Sequence, residues 1–141
     1  MAELAAYLQG LGFSPAMPLR LVSNWQHAGT LCHSPSDEWW RAEEAERERL
    51  ERNVRLDPAD RGWLELNSAL HGAAAVAAAR AGCADAALIR VAAGAASSAA
   101  YQARLARAAG AESDHPFLRK YALYSGGRWP LGVYDGAFAI F

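Results

Sequence analysis

Four side chains in the sequence have the chemistry of a small site. His71 offers an imidazole that titrates near neutral pH, Arg104 a guanidinium, and Tyr101 and Tyr121 two phenols. They fall on three predicted elements, so only the fold can unite them. If united, they would line a pocket between the helices and a C-terminal sheet. His71 follows Asn67 by one helical turn, with Glu65 and Ser68 nearby. A serine, a histidine and an acid on one helix project in diverging directions and cannot form a nucleophilic triad. His71 therefore reads as a hydrogen-bonded surface or interface residue. His27, Cys32 and His33 carry atoms that zinc accepts, but no C-x-x-C or H-x-x-x-H pair supplies the other ligands. They read as loop residues, with Cys32 partly buried. Cys83 follows Gly82 at a predicted helix start, where a thiol pKa falls. No base or resolving cysteine accompanies it, and it reads as a small residue in a turn. Spacing alone therefore predicts no catalytic residue, no metal ligand and no cofactor.

The surface is more informative. Residues 37–55 read as one charged helix in which Asp37–Arg41, Glu43–Arg47, Glu48–Arg52 and Glu51–Arg55 are acid-first i,i+4 pairs. Each such pair adds roughly 0.2–0.5 kcal/mol. Glu44 and Glu46 have no acid-first partner at i+4 and are free to meet a basic partner protein. Trp39 and Trp40 sit at the same helix start. Successive residues diverge by about 100° around a helix, so one Trp faces the core and the other faces out. An exposed Trp beside carboxylates has the character of a binding hot spot. The predicted partner-binding set is therefore Trp39, Trp40, Glu43, Glu44, Glu46 and Glu48.

These residues need elements to hold them. The chain has 141 residues, enough for one domain with its own core. Its centre, 64–111, reads as two Ala-rich helices joined at Gly82. Trp63, Leu66, Leu70, Ala73 and Ala77 keep a helical spacing in the first, and Leu88, Ala92, Ala95, Ala99 and Ala106 keep it in the second. Arg90, Ser97, Tyr101 and Arg104 mark a wet face opposite. Ser34-Pro35-Ser36-Asp37 and Asp57-Pro58-Ala59-Asp60 are helix-start sequences, and Gly82 and Gly110 are stops. Residues 2–11 form a short first helix, 19–25 a strand, and 26–33 an irregular stretch. After Asp114 aromatic and β-branched residues replace Ala. Residues 121–125, 131–134 and 137–141 read as strands, with Asp135-Gly136 as a two-residue hairpin turn. The terminal strand, ending Phe138-Ala139-Ile140-Phe141, is expected to be docked, as a central strand or against the helices. The predicted class is α+β and mostly α. It comprises three long helices, a short N-terminal helix and a small C-terminal antiparallel β-meander, in one domain (1–141) that is helical over 1–111 and β over 117–141.

Composition narrows the partners. Net charge is −1, so no long-range field draws nucleic acid or an anionic membrane. Arg80, Asp85, Arg90 and Arg104 interrupt every apolar run that could span a bilayer. Two isolated cysteines and no signal-peptide pattern predict a reduced, cytoplasmic protein. Thirteen arginines stand against one lysine, which reads as codon bias in a GC-rich genome.

The acidic helix and the aromatic ending Tyr124…Gly127-Arg128-Trp129-Pro130-Leu131-Gly132 resemble the small immunity proteins encoded beside polymorphic and contact-dependent growth inhibition toxins. That resemblance implies a protein that binds one cognate toxin domain and covers its active site. It carries over no individual site residue. The near-neutral charge departs from the strongly acidic immunity proteins that cover nuclease toxins. The leading expectation is therefore a toxin-neutralising binding protein and not an enzyme. The alternatives are a small-ligand-binding protein or enzyme with a pocket between helices and sheet, and a helical adaptor that homodimerises through its Ala-rich face.

Overall fold

The computed structural model describes residues 2–32, 37–57 and 61–141, the side chains at 32, 74–76 and 78–80 excepted. The expected capping sequences at 34–36 and 58–60, and His33, lie outside the described residues. In order the elements are α1 (Ala2–Gly10), β1 (Leu19–Leu21), α2 (Trp25–Cys32), α3 (Asp37–Glu51), α4 (Arg61–Arg80), α5 (Ala86–Ala108), α6 (Pro116–Ser125), β2 (Pro130–Tyr134) and β3 (Ala137–Ile140). The class is α+β and mostly helical.

The α5 helix is the axis of the fold. Asp85 caps it, its Oδ1 accepting from the amides of Ala87 at 2.8 Å and Leu88 at 3.3 Å. Ala96, Ala99, Ala100, Ala103 and Ala106 are all at 0 % exposure, so α5 is covered on more than one side. Methyl side chains make this possible, because they let neighbouring helix axes approach closely without displacing larger groups. The α4 helix runs back along α5, and His71 and Ser97 join the two by a 2.8 Å hydrogen bond. The face of α5 expected to be wet is partly covered: Ser97, Tyr101 and Arg104 are half-buried, and only Arg90 is exposed.

Three expectations are corrected. Residues 121–125 are not a strand but the second half of α6. His115 caps that helix, with Nδ1 accepting from the Phe117 amide at 3.2 Å, and Pro116 opens its first turn. Phe117, Lys120, Leu123 and Tyr124 then share its buried side at helical spacing. Residues 25–32 form α2 rather than a strand end and an irregular stretch. The sheet is not an antiparallel meander. Its order is β1-β3-β2, with β3 central, parallel to β1 and antiparallel to β2. A parallel neighbour requires a long crossover, and here the helices between β1 and β3 supply it. The expected docking of 137–141 is met by that central position.

The β2–β3 turn is as expected. Asp135 (φ 51°) and Gly136 (φ 75°) are both left-handed, as a type I′ hairpin requires. No helix among the described residues is long and apolar enough to cross a membrane. Where β2 is irregular, Gly132 adopts φ +123°, and a Cβ built there would lie 3.2 Å from Cε3 of Trp39. Gly132→Ala should therefore lose about 1–3 kcal/mol through backbone strain alone, with further loss if Trp39 is displaced. Chemical denaturation of the variant beside the parent measures it, and equal stability would refute the assignment of strain to this position.

Candidate functional site

The charged helix α3 is anchored by its own buried face. Trp39 and Glu43, one turn apart, both point inward, at 8 % and 4 % exposure. Glu43 accepts from the Tyr7 hydroxyl of α1 at 2.5 Å and from Lys120 Nζ of α6 at 2.6 Å. Trp39 Nε1 donates to the Tyr7 oxygen at 2.7 Å. Lys120 also donates to Gln102 Oε1 of α5 at 2.9 Å, and its ammonium stands 5.5 Å from the centre of the Trp39 ring. Four helices thus meet at one buried ion pair. Burial first, and the neighbouring Glu43 charge second, push the Tyr7 phenol well above its ordinary value of 10.0. The phenol therefore stays protonated and donating at neutral pH.

Above this pair opens a cleft of about 690 Å³ bounded by α3, α5, α6, the start of α4 and β2. Glu43, Gln102 and Lys120 are at its floor, and Trp39, Trp40, Trp63 and Tyr101 are among its walls. Past Val91, Ala95, Tyr124 and Leu131, which line both spaces, lies an apolar chamber of about 40 Å³ walled by Trp25, Trp129 and Phe141. Trp25 meets the rings of Trp129 and Phe141 edge-on, at 6.1 and 4.5 Å between centroids. The five tryptophans of the chain, Trp25, Trp39, Trp40, Trp63 and Trp129, all line the cleft or its chamber. Such a concentration gives the site a large apolar contact area with few mobile torsions, the composition of a binding surface.

The residues singled out by sequence are divided by the fold. Trp39 faces the core and Trp40, at 55 % exposure, faces out over the cleft. Glu43 does not pair with Arg47 and is not available to a partner, because its carboxylate is consumed in the core. Arg47 instead holds Glu44 and Glu51 together, and Tyr101 donates to Glu51 at 2.8 Å. Glu46 is not unpaired either. It binds Arg49 at 2.6 Å and His115 Nε2 at 2.8 Å, and Arg49 first and His115 second hold its carboxyl below the usual range against the effect of burial. Glu48 is exposed. Of the four residues offered as a pocket, only Tyr101 lines the large cleft. Arg104 and Tyr121 line a separate shallow depression beside Arg107, and His71 is exposed on α4. Among the described residues no three His, Cys, Asp or Glu side chains converge on a common point. His27 is exposed, and Cys83 is a free, half-buried thiol.

Comparison with protein-family models, with curated proteins and with solved structures finds no match to this chain.

Tyr7, Gln102 and Lys120 were not singled out by the sequence. A signal for Lys120 exists: it is the one lysine beside thirteen arginines, and in α6 it falls in the middle of an apolar stripe. A strand reading of 121–125 hides that stripe. Tyr7 lies on the same side of α1 as Leu4 and Leu8, where its hydroxyl signals a polar partner in the core.

Removing one member of a buried ion pair strands the other. Lys120→Met should cost about 3–5 kcal/mol, and combining it with Glu43→Gln should cost clearly less than the two single changes added. Denaturant titrations of the four proteins close that cycle, and strict additivity would contradict the pair. For Tyr7 the folded-state pKa is raised, so its stabilisation is complete below the unfolded value of about 10 and is lost as pH rises through the folded one. The parent's melting temperature should therefore fall more steeply above pH 10 than that of Tyr7→Phe. Parallel pH profiles in differential scanning calorimetry would contradict this.

Proposed function

We propose that this chain is a ligand-binding protein whose site is the tryptophan-lined cleft between the helices and the C-terminal sheet, and that it holds its ligand without turnover. The observation that carries the reading is the gathering of all five tryptophans around one cleft and its chamber. A volume of about 690 Å³ also lies within the roughly 300–1,000 Å³ typical of small-molecule sites. Binding is favoured over catalysis by the state of the floor. Both oxygens of Glu43 accept hydrogen bonds, Lys120 is ion-paired with it, and Tyr7 is kept protonated. Each of the three is engaged by the others and not free to act on a substrate.

Nile red, an uncharged dye that brightens in apolar sites, tests this. It should bind saturably at one molecule per chain. Ser98→Trp places a large side chain into the cleft from an exposed position and should abolish binding without lowering the melting temperature. Undiminished binding in that variant, or none in the parent, would count against the cleft.

A second reading is favoured by a specific observation: Trp40 stands exposed on the cleft rim beside Glu44, with Glu48 exposed further along α3. The same face would suit a protein partner, and the immunity-protein resemblance supplies a cognate toxin domain as that partner. Co-expression with the neighbouring reading frame tests it. Trp40→Ala should weaken a co-purifying complex by tenfold or more. A harmless neighbour, or a pair that does not co-purify, removes this reading.

A further inference from the structure

The polar groups of the cleft floor do not balance, and the imbalance has a sign. Both oxygens of Glu43 already accept, one from the Tyr7 hydroxyl and both standing 2.6 Å from the Lys120 ammonium. Lys120 has only donors, so the Gln102 amide must turn its oxygen to it, and the 2.9 Å contact to Oε1 follows. That leaves both N–H groups of the Gln102 amide without a partner among the described residues. Gln102 lines the cleft, and its nitrogen is not among the enclosed orphan atoms of the described residues, so the space it meets is the cleft. The indole N–H groups of Trp25 and Trp129 have no hydrogen-bond partner among the described residues, but they are enclosed and out of a ligand's reach. The unmatched groups that the floor presents to the cleft are therefore the Gln102 donors.

Charge is matched where hydrogen bonds are not. Lys120 neutralises Glu43 at the floor, and Arg47 is bound by Glu44 at the rim and by Glu51 beside it. Among the described residues that line the cleft, no unpaired cation is present to attract an anion and no unpaired carboxylate to attract a cation. An ionised ligand would surrender hydration to reach a site that offers it no counter-charge. An uncharged acceptor loses less on entry and satisfies donors that otherwise face an apolar cleft.

Resting on the ligand-binding reading above, we propose that the cleft selects an uncharged small molecule with an aromatic or apolar body and a carbonyl-type acceptor. The acceptor takes the Gln102 amide N–H groups, the body lies between Trp40 and Trp63, and its far end enters the Trp25–Trp129 chamber.

Three probes of one shape decide this: 2-naphthamide, 2-naphthoate and 2-naphthylmethylammonium, which differ in the charge and acceptor on a common ring. Binding is read from the five indole N–H signals in two-dimensional ¹⁵N NMR of the full chain, with affinities from calorimetry. The carboxamide should bind at least tenfold more tightly than either ion and should shift the Trp40 and Trp63 signals. Gln102→Glu keeps an oxygen on Lys120 but replaces the amide nitrogen by a second acceptor. Its NMR spectrum reports whether the fold survives the added carboxylate beside Glu43, and the folded variant should lose tenfold or more of the carboxamide affinity. If all three probes leave the indole signals unmoved, the cleft is not a ligand site, and both this inference and the reading beneath it fall. If the probes bind there but show no preference for the carboxamide, or Gln102→Glu retains its affinity, the acceptor assignment alone is overturned. Should that variant misfold, Gln102→Met, which also removes the amide donors, supplies the same comparison.

Discussion

A single ion pair, Glu43 with Lys120, constrains where four helices can sit. Two charges removed from water are tolerated only when each hydrogen-bonding site finds a partner in good geometry. Here the ammonium meets both carboxylate oxygens, Tyr7 donates to one of them and Gln102 accepts from the ammonium, so α1, α3, α5 and α6 each contribute one group. The arrangement leaves little freedom. If α3 slid by one residue, Glu43 would rotate out and an unpaired lysine would remain in the core. Apolar packing alone is less exacting, because Trp39 against Phe138 (centroids 6.0 Å apart) would tolerate small displacements.

The same constraint shapes the cleft. Held by Trp39 and Glu43, α3 stands beside α5 with its outer side charged and its rim carrying Trp40. The alanine surface of α5 allows close packing where α4 and α6 meet it. Towards α3, Tyr101 reaches Glu51 directly, and Gln102 reaches that helix only through Lys120 of α6, which binds Glu43. The space left between them is the cleft. A site formed in this way is pre-organised, since its floor is fixed by hydrogen bonds that also maintain the fold.

Much of the helical framework was legible in residue order, and the reasons are local. The Ala-rich periodicity places α4 and α5. The Asp85 cap, the Asp135-Gly136 turn and the divergence of Trp39 from Trp40 all follow from short-range geometry. The failures are equally specific. Tyr121–Leu123–Tyr124 are residues that favour strands by composition, but the His115-Pro116 cap and the stripe through Phe117, Lys120 and Leu123 make them helical. The i,i+4 pairing assigned to Glu43 is a sound surface rule. It failed because Glu43 shares the buried side of α3 with Trp39, and a long-range partner outweighed the near one.

Residue order by itself determined that this protein is mostly helical, that its middle is a close helical hairpin, and that α3 presents one tryptophan inward and one outward. Those properties depend on contacts within a turn or two of the chain. Only the tertiary structure decided that β1 joins β3 in parallel, and that Tyr7, Glu43, Gln102 and Lys120 converge. It likewise decided that five tryptophans scattered from position 25 to 129 line a cleft and the chamber beside it. Such meetings join residues far apart in the chain, and no local propensity encodes them. They arise because a buried charge must find its partner wherever the packing of the helices brings one within reach.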